Sequence, residues 1–135
     1  MMLAQLISYL RSPVPDELQD ALFTISDMVS YAYGDDGVRM GEMMRQQGGL
    51  TQLTWLLADR SQPLDVHQQV LLLIGNLCSD SVDPNSTLST RYLLDTGVAT
   101  VLFGFLDPLI NDDVASLIFA CGAVQNLCHD AEWSQ

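Results

Sequence analysis

The segment LTWLLADRSQPLDVHQQVLLLIGNLCS, from Leu53 to Ser79, holds the pattern that decides the fold. It opens with a short apolar stretch ending at Leu57, continues through a loop that carries Pro63, and closes with a longer apolar stretch. One face of the longer stretch is formed by Val66, Val70, Leu73 and Leu77. Their spacing of three or four residues is that of an amphipathic helix. The segment therefore predicts a short helix, a proline loop and a long helix.

Two further segments repeat this pattern. LISYLRSPVPDELQDALFTISDMVS begins at Leu6, and LFGFLDPLINDDVASLIFACGAVQNLCH begins at Leu102. The opening leucines of the three segments are offset by 47 and 49 residues. The triplets that close the long helices begin at Asp27, Asn76 and Asn126, with offsets of 49 and 50 residues. Two independent anchors with nearly equal offsets indicate an internal repeat.

A second link joins each long helix to the next segment. GVRMGEMMRQQGGL, from Gly37 to Leu50, and STRYLLDTGVATVL, from Ser89 to Leu102, each predict a short helix that stops at glycine. The acid-rich stretch at residues 34–37 is interpreted as a polar turn. We expect one all-α domain over residues 1–135. Its repeats are expected to span roughly residues 1–36, 37–88 and 89–135.

This pattern resembles the armadillo repeat, through its glycine turn, its Leu-rich second helix and its long third helix ending in Asn-Leu. The resemblance implies a right-handed α-solenoid of about three repeats that binds extended peptides or partner proteins on a concave face lined by the third helices. In that family an asparagine holds the peptide backbone, and Asn76 and Asn126 occupy its position here. The first repeat has Asp27 instead, which accepts hydrogen bonds but does not donate them when ionised.

The predicted peptide-binding strip consists of Asn76, Asn126, Asp27, Asp80 and Asp130. Asp80 and Asp130 follow the asparagines by four residues and would make the groove acidic. Import-receptor members of the family carry a tryptophan four residues before each asparagine. Those positions hold Phe23, Leu72 and Gly122 here, so an import receptor is not expected. The alternative for the asparagines is a hydrogen bond at a helix end within the solenoid itself.

The charge balance narrows the choice of partner. The chain has five basic and seventeen acidic residues, a net charge of -12, and no Lys or Arg after Arg91. Nucleic acids and anionic membrane surfaces both require basic residues, so neither is an expected partner. A basic peptide or protein is the favoured partner, although acidic surfaces also serve solubility alone.

The sequence gives no sign of catalysis. His67 and His129 lie far apart, and the three cysteines, Cys78, Cys121 and Cys128, form no paired metal motif. We therefore predict no catalytic residue, no metal site and no cofactor. An odd number of cysteines without a recognisable leader favours free thiols and a cytoplasmic location, with the nucleus as the alternative.

The third long helix predicts an open end to the stack. It is apolar on nearly every face, and Phe119 and Ala123 are expected to form a stripe that no following repeat covers. Such a stripe would be covered by further repeats, a partner or a second copy.

Two functional hypotheses follow from the sequence. The first is a peptide-recognition scaffold, and the alternative is a structural subunit or solenoid fragment docked permanently in a larger assembly.

Overall fold

The computed structural model describes residues 2–107 and 113–128, which form helices joined by turns, without any β-strand. The helices are α1 (Met2–Tyr9), α2 (Pro15–Ser30), α3 (Gly34–Gln46), α4 (Gly49–Ala58), α5 (Leu64–Leu77), α6 (Ser86–Thr96), α7 (Val98–Leu106) and α8 (Val114–Leu127). The all-α prediction is confirmed.

The long helices α2, α5 and α8 lie side by side, with α5 in the middle. Most of its apolar side chains are fully buried because α2, α4 and α8 all pack against it. The fully buried set is Val66, Val70, Leu71, Leu73 and Ile74. A helix that is apolar on most of its surface is stable only between other helices, which explains the central place of α5.

Glycine shapes the sharp junctions between α3 and α4 and between α6 and α7. Gly48 has φ 77° and Gly97 has φ 95°, both in the left-handed region. A residue with a Cβ adopts this conformation only under strain, so the turns require glycine. The predicted glycine turns are therefore present at equivalent places in two successive units.

The predicted polar turn at residues 34–37 is wrong, because these residues form the first turn of α3. Asp35 and Asp36 then lie at the helix N-terminus, where the helix dipole favours negative charge. Both α3 and α6 begin three residues before the repeat boundaries expected at residues 37 and 89. The sequence suggested a turn because two glycines flank the acids, but Gly37 has a packing role inside the helix.

Gly37 and Gly41 let the backbone of residues 82 and 83 approach α3 closely. A Cβ on Gly37 would overlap the Val82 carbonyl, and a Cβ on Gly41 would overlap the Asp83 carboxylate. The carboxylate of Asp83 is fully buried and lies 3.6 Å from a guanidinium nitrogen of Arg45. Arg45 also donates a 2.8 Å hydrogen bond to Ser89 Oγ on α6. The ion pair therefore ties α3 to the turn before α6, and the bond to Ser89 joins the second repeat to the third.

A cap fixes the start of α8 against α5. Asp113 accepts hydrogen bonds from the Ser116 amide at 2.8 Å and from Gln68 Nε2 on α5 at 3.1 Å. The hydrogen bond from the Ser116 amide is the largest cause that lowers the pKa of Asp113. Because the folded-state pKa is lowered, this contribution to stability is complete at neutral pH and declines as the pH falls through that pKa.

We expect Gly41→Ala to destabilise the protein by about 1–3 kcal/mol, the usual penalty of overpacking. In a helix without such a contact, alanine in place of glycine would stabilise the protein by about 0.5–1 kcal/mol. A loss of stability would therefore indicate the close contact. Gly122→Ala is the matched control, because nothing lies within 4 Å of a Cβ placed there. Urea unfolding should show a lower midpoint for the first variant and an equal or higher midpoint for the second. Equal midpoints for both variants would contradict the close approach.

The cysteines should differ in reactivity. Burial raises the pKa of the Cys78 thiol to about 11, whereas Cys121 is exposed. Only the thiolate reacts readily with alkylating agents. Iodoacetamide at pH 8 should therefore modify Cys121 in the native protein and reach Cys78 only after unfolding in urea. Peptide mass spectrometry measures this, with Cys121→Ser as the control, and rapid native alkylation of Cys78 would contradict the packing.

Candidate protein-binding groove

Two clefts adjoin each other on the surface formed by α2, α5 and α8. The first, of about 200 Å³, lies between α2 and α5 and is lined by Phe23, Ser26, Asp27, Ser30, Gln69 and Leu72. The second, of about 360 Å³, lies between α5 and α8. Its lining includes Leu71, Leu72, Gly75, Asn76, Ile118, Phe119, Gly122, Ala123, Gln125 and Asn126. Leu72 lines both, so the two clefts form one groove across the three helices.

The structure brings three of the predicted strip residues to this groove. Asn76 and Asn126 line the same cleft, and Asp27 lines the neighbouring one. Asp80 is exposed in the turn after α5 and lines neither cleft. Helical spacing does not carry to Asp80, because α5 ends at Leu77. Asp130 lies outside the described residues.

The two asparagines differ in their hydrogen bonds. Asn126 Nδ2 donates to the backbone carbonyl of Gly75 at 2.7 Å, which ties α8 to α5. Within the described part of the chain the side chain of Asn76 makes no hydrogen bond, although it is half-buried in the cleft. The amide of Asn76 therefore retains its donors and its acceptor for another group. The bond of Asn126 agrees with the alternative prediction for these asparagines, a hydrogen bond at a helix end within the solenoid itself.

The expected open stripe at Phe119 and Ala123 is wrong in its position. Ala123 is buried, and its Cα lies 3.8 Å from the point where a Cβ on Gly75 would be. Phe119 is half-buried and packs against the core. Both residues face the preceding helix α5, which covers them. The large apolar residues of α8 that are exposed are instead Val114 and Ile118, at 67 % and 63 %.

The repeat register could have corrected this placement. Phe119 corresponds to Gln69 at the offset of 50 residues, and Gln69 lines the cleft towards α2. Ile118 corresponds to Gln68, which contacts Asp113 at the start of α8. Position 69 thus faces the preceding helix and position 68 faces the following one. The same assignment points Ile118 towards the open end, while its side chain also borders the cleft towards α5.

Sequence reasoning also missed a cavity beside the first helices. A space of about 390 Å³ lies between α1, the end of α2, and α3. It is lined by Leu3, Met28, Tyr31, Ala32, Asp36, Arg39, Met40 and Met43. Met44 is fully buried in the core, whereas Met40 and Met43 border this cavity.

His67 has a structural environment. Its Nε2 donates to the backbone carbonyls of Asp59 at 2.9 Å and Leu56 at 3.2 Å, since both partners are acceptors. Its ring meets Phe105 edge-on, with 5.1 Å between the centroids. In residues 2–107 and 113–128, no three His, Cys, Asp or Glu side chains are grouped as metal ligands. No described helix has the length and apolarity needed to cross a bilayer.

Comparison with solved structures places this geometry among designed repeat proteins. The chain is similar to a designed armadillo repeat protein in complex with the peptide (KR)4, with a TM-score of 0.73 and 25 % identity. A second designed armadillo repeat protein has a TM-score of 0.71 and 24 % identity. A third, computationally designed for modular peptide recognition, has the same TM-score and 24 % identity.

The similarity covers 92–93 % of this chain and 46 % of each of these designed proteins. The chain therefore spans about half their length. No protein-family profile and no curated protein sequence matches it. Helix order, glycine turns and structural similarity agree, and the chain has the armadillo-like repeat fold of an all-α solenoid.

Proposed function

We propose that this chain is a non-catalytic protein-interaction scaffold that binds an extended, basic peptide or partner segment in the groove across α2, α5 and α8. The observation that carries the proposal is the pair of adjoining clefts that contain Asn76 and Asp27. Support also comes from the neighbouring structures, one of which holds the peptide (KR)4. A groove that offers side-chain amides suits an extended peptide because its backbone has unpaired donors and acceptors.

The charge of the groove favours a cationic ligand. Asp27 is exposed at the first cleft, and no Arg occurs among the residues that line either cleft. The whole chain carries a net charge of -12 and contains no Lys. This field would raise the association rate of a basic partner and oppose an acidic one.

A permanently docked subunit is the second candidate. Its supporting observation is the exposure of Val114 and Ile118 on α8, with Phe103 on α7 also 51 % exposed. An apolar end of this kind is suited to cover by another protein surface. Light scattering separates the two functions: the scaffold is a monomer with a free groove, whereas the docked subunit self-associates when isolated.

Binding of (KR)4 should depend on salt and on Asp27. We expect fluorescence anisotropy to give an affinity that falls from 50 mM to 1 M NaCl, because the Debye length shrinks to about 3 Å at 1 M. Asp27→Asn should weaken binding by up to about fivefold, the range for an exposed ion pair. Asp95→Asn is the control, because Asp95 is exposed on α6 and lines neither cleft. Equal binding of (KR)4 and (DE)4, or a response independent of salt, would refute a basic ligand.

Substitution of the two asparagines should affect different properties, peptide binding for Asn76 and stability for Asn126. Asn76→Ala should weaken a bound peptide by about fivefold, equivalent to about 1 kcal/mol for a lost hydrogen bond, with little change in unfolding. Asn126→Ala should lower the free energy of unfolding by about 1 kcal/mol, because it removes the bond to the Gly75 carbonyl. Peptide titration and urea unfolding of both variants measure this. The assignment fails if Asn76→Ala changes only stability.

A further inference from the structure

The chemistry of the groove changes from one repeat to the next at two equivalent positions. The position that lies one turn before the triplets holds Phe23, Leu72 and Gly122 in α2, α5 and α8. The triplets themselves begin with Asp27, Asn76 and Asn126. Each pair is four residues apart and so lies on one helix face. The first repeat thus presents an aromatic ring and a carboxylate, whereas the third presents neither.

The cleft between α2 and α5 suits a cationic side chain. The Phe23 ring is 37 % exposed, and the exposed carboxylate of Asp27 lies one helical turn further along the same cleft. The α5 side of the cleft contributes Gln69 and Leu72, which are neutral. The apolar stem of a Lys or Arg can lie on the ring while its charged end meets the carboxylate.

The cleft between α5 and α8 suits an apolar side chain. Gly122 lies in its lining, and nothing is within 4 Å of a Cβ built on this glycine. The surrounding side chains include Leu72, Ile118 and Phe119. The space is about 360 Å³, against about 200 Å³ for the first cleft. No charged residue is among those that line it.

We infer that the groove reads two residues of an extended peptide, a Lys or Arg in the α2–α5 cleft and a bulky apolar residue in the α5–α8 cleft. This inference rests on the proposed function and specifies its ligand. The clefts are separated by about one interhelical distance, roughly 8–10 Å. A peptide in the polyproline II conformation advances about 9.3 Å in three residues, which is one full turn, so side chains three positions apart point to the same side. The two anchors are therefore three positions apart.

The test uses peptides that contain one Arg and one Leu in an Ala/Ser background. Spacings of one, three and six residues are compared, in both chain orders, together with peptides that carry only one of the anchors. Affinities are measured from chemical-shift changes of the ¹⁵N-labelled chain, which are sensitive to weak binding. We expect one order of the three-residue spacing to bind at least about tenfold tighter than either single-anchor peptide, an advantage that an apolar contact readily supplies.

Two variants assign the anchors to their clefts. Gly122→Leu fills the second cleft while improving helix propensity, so it should reduce the affinity of the Arg/Leu peptide to that of the Arg-only peptide. Asp27→Asn should reduce the affinity of the Arg/Leu peptide towards the affinity of the Leu-only peptide. Ala115→Leu is the control for the first change, because Ala115 is exposed on α8 and lines neither cleft. Asp95→Asn is the control for the second. Circular dichroism verifies that each variant folds.

The outcomes distinguish the inference from the function on which it rests. If Arg-only and Arg/Leu peptides bind equally, or spacing has no effect, the two-residue reading is overturned while peptide binding stands. The reading also fails if Gly122→Leu leaves the preference for Leu unchanged. If none of these peptides, nor (KR)4, shifts resonances of α2, α5 or α8, the proposed function is overturned as well.

Discussion

The structure depends on the burial of α5 between α2 and α8. Its fully buried residues, among them Val70 and Ile74, face neighbours on several sides, so this helix is stable only inside a stack. The three long helices must then lie side by side, and the groove follows from that arrangement. Leu72 is the side chain of α5 that lines both clefts and remains 37 % exposed. The helix that holds the core together therefore also forms the middle of the candidate binding surface.

Local patterns predicted the helices and the glycine turns and put Asn76 and Asn126 at equivalent positions of the repeat, because periodicity and repeat register are properties of short segments. They could not predict that Gly37 and Gly41 would make room for a chain segment some forty residues away. Nor could they show that Asp83 would be buried beside Arg45, since the two residues are far apart in sequence and only the folded chain brings them together. Ala123 was misplaced for a different reason: helical periodicity defines faces but not which neighbour each face meets.

The asparagine position has different contacts in the three repeats. In the third repeat its amide stabilises the stack, because Asn126 binds the Gly75 carbonyl of the preceding long helix. In the second repeat the equivalent Asn76 makes no such bond within the described residues, so its amide can serve a ligand without loss of a structural contact. In the first repeat the position holds Asp27, which has a negatively charged carboxylate where the other repeats have an amide. Equivalent positions in a repeat fold thus share a location but need not share a role.

Small residues determine the depth of the groove. At Gly75 the Ala123 Cα of α8 lies 3.8 Å from the point where a Cβ would be, an ordinary contact distance, so a side chain larger than a methyl group would meet α8. At Gly122 the absence of a side chain leaves open space towards the surface instead. One glycine serves packing and the other leaves room for a ligand, although both lie within regular helices. Since packing penalises any side chain at a crowded position and not at an open one, the outer position is where the groove can change its ligand without disturbing the fold.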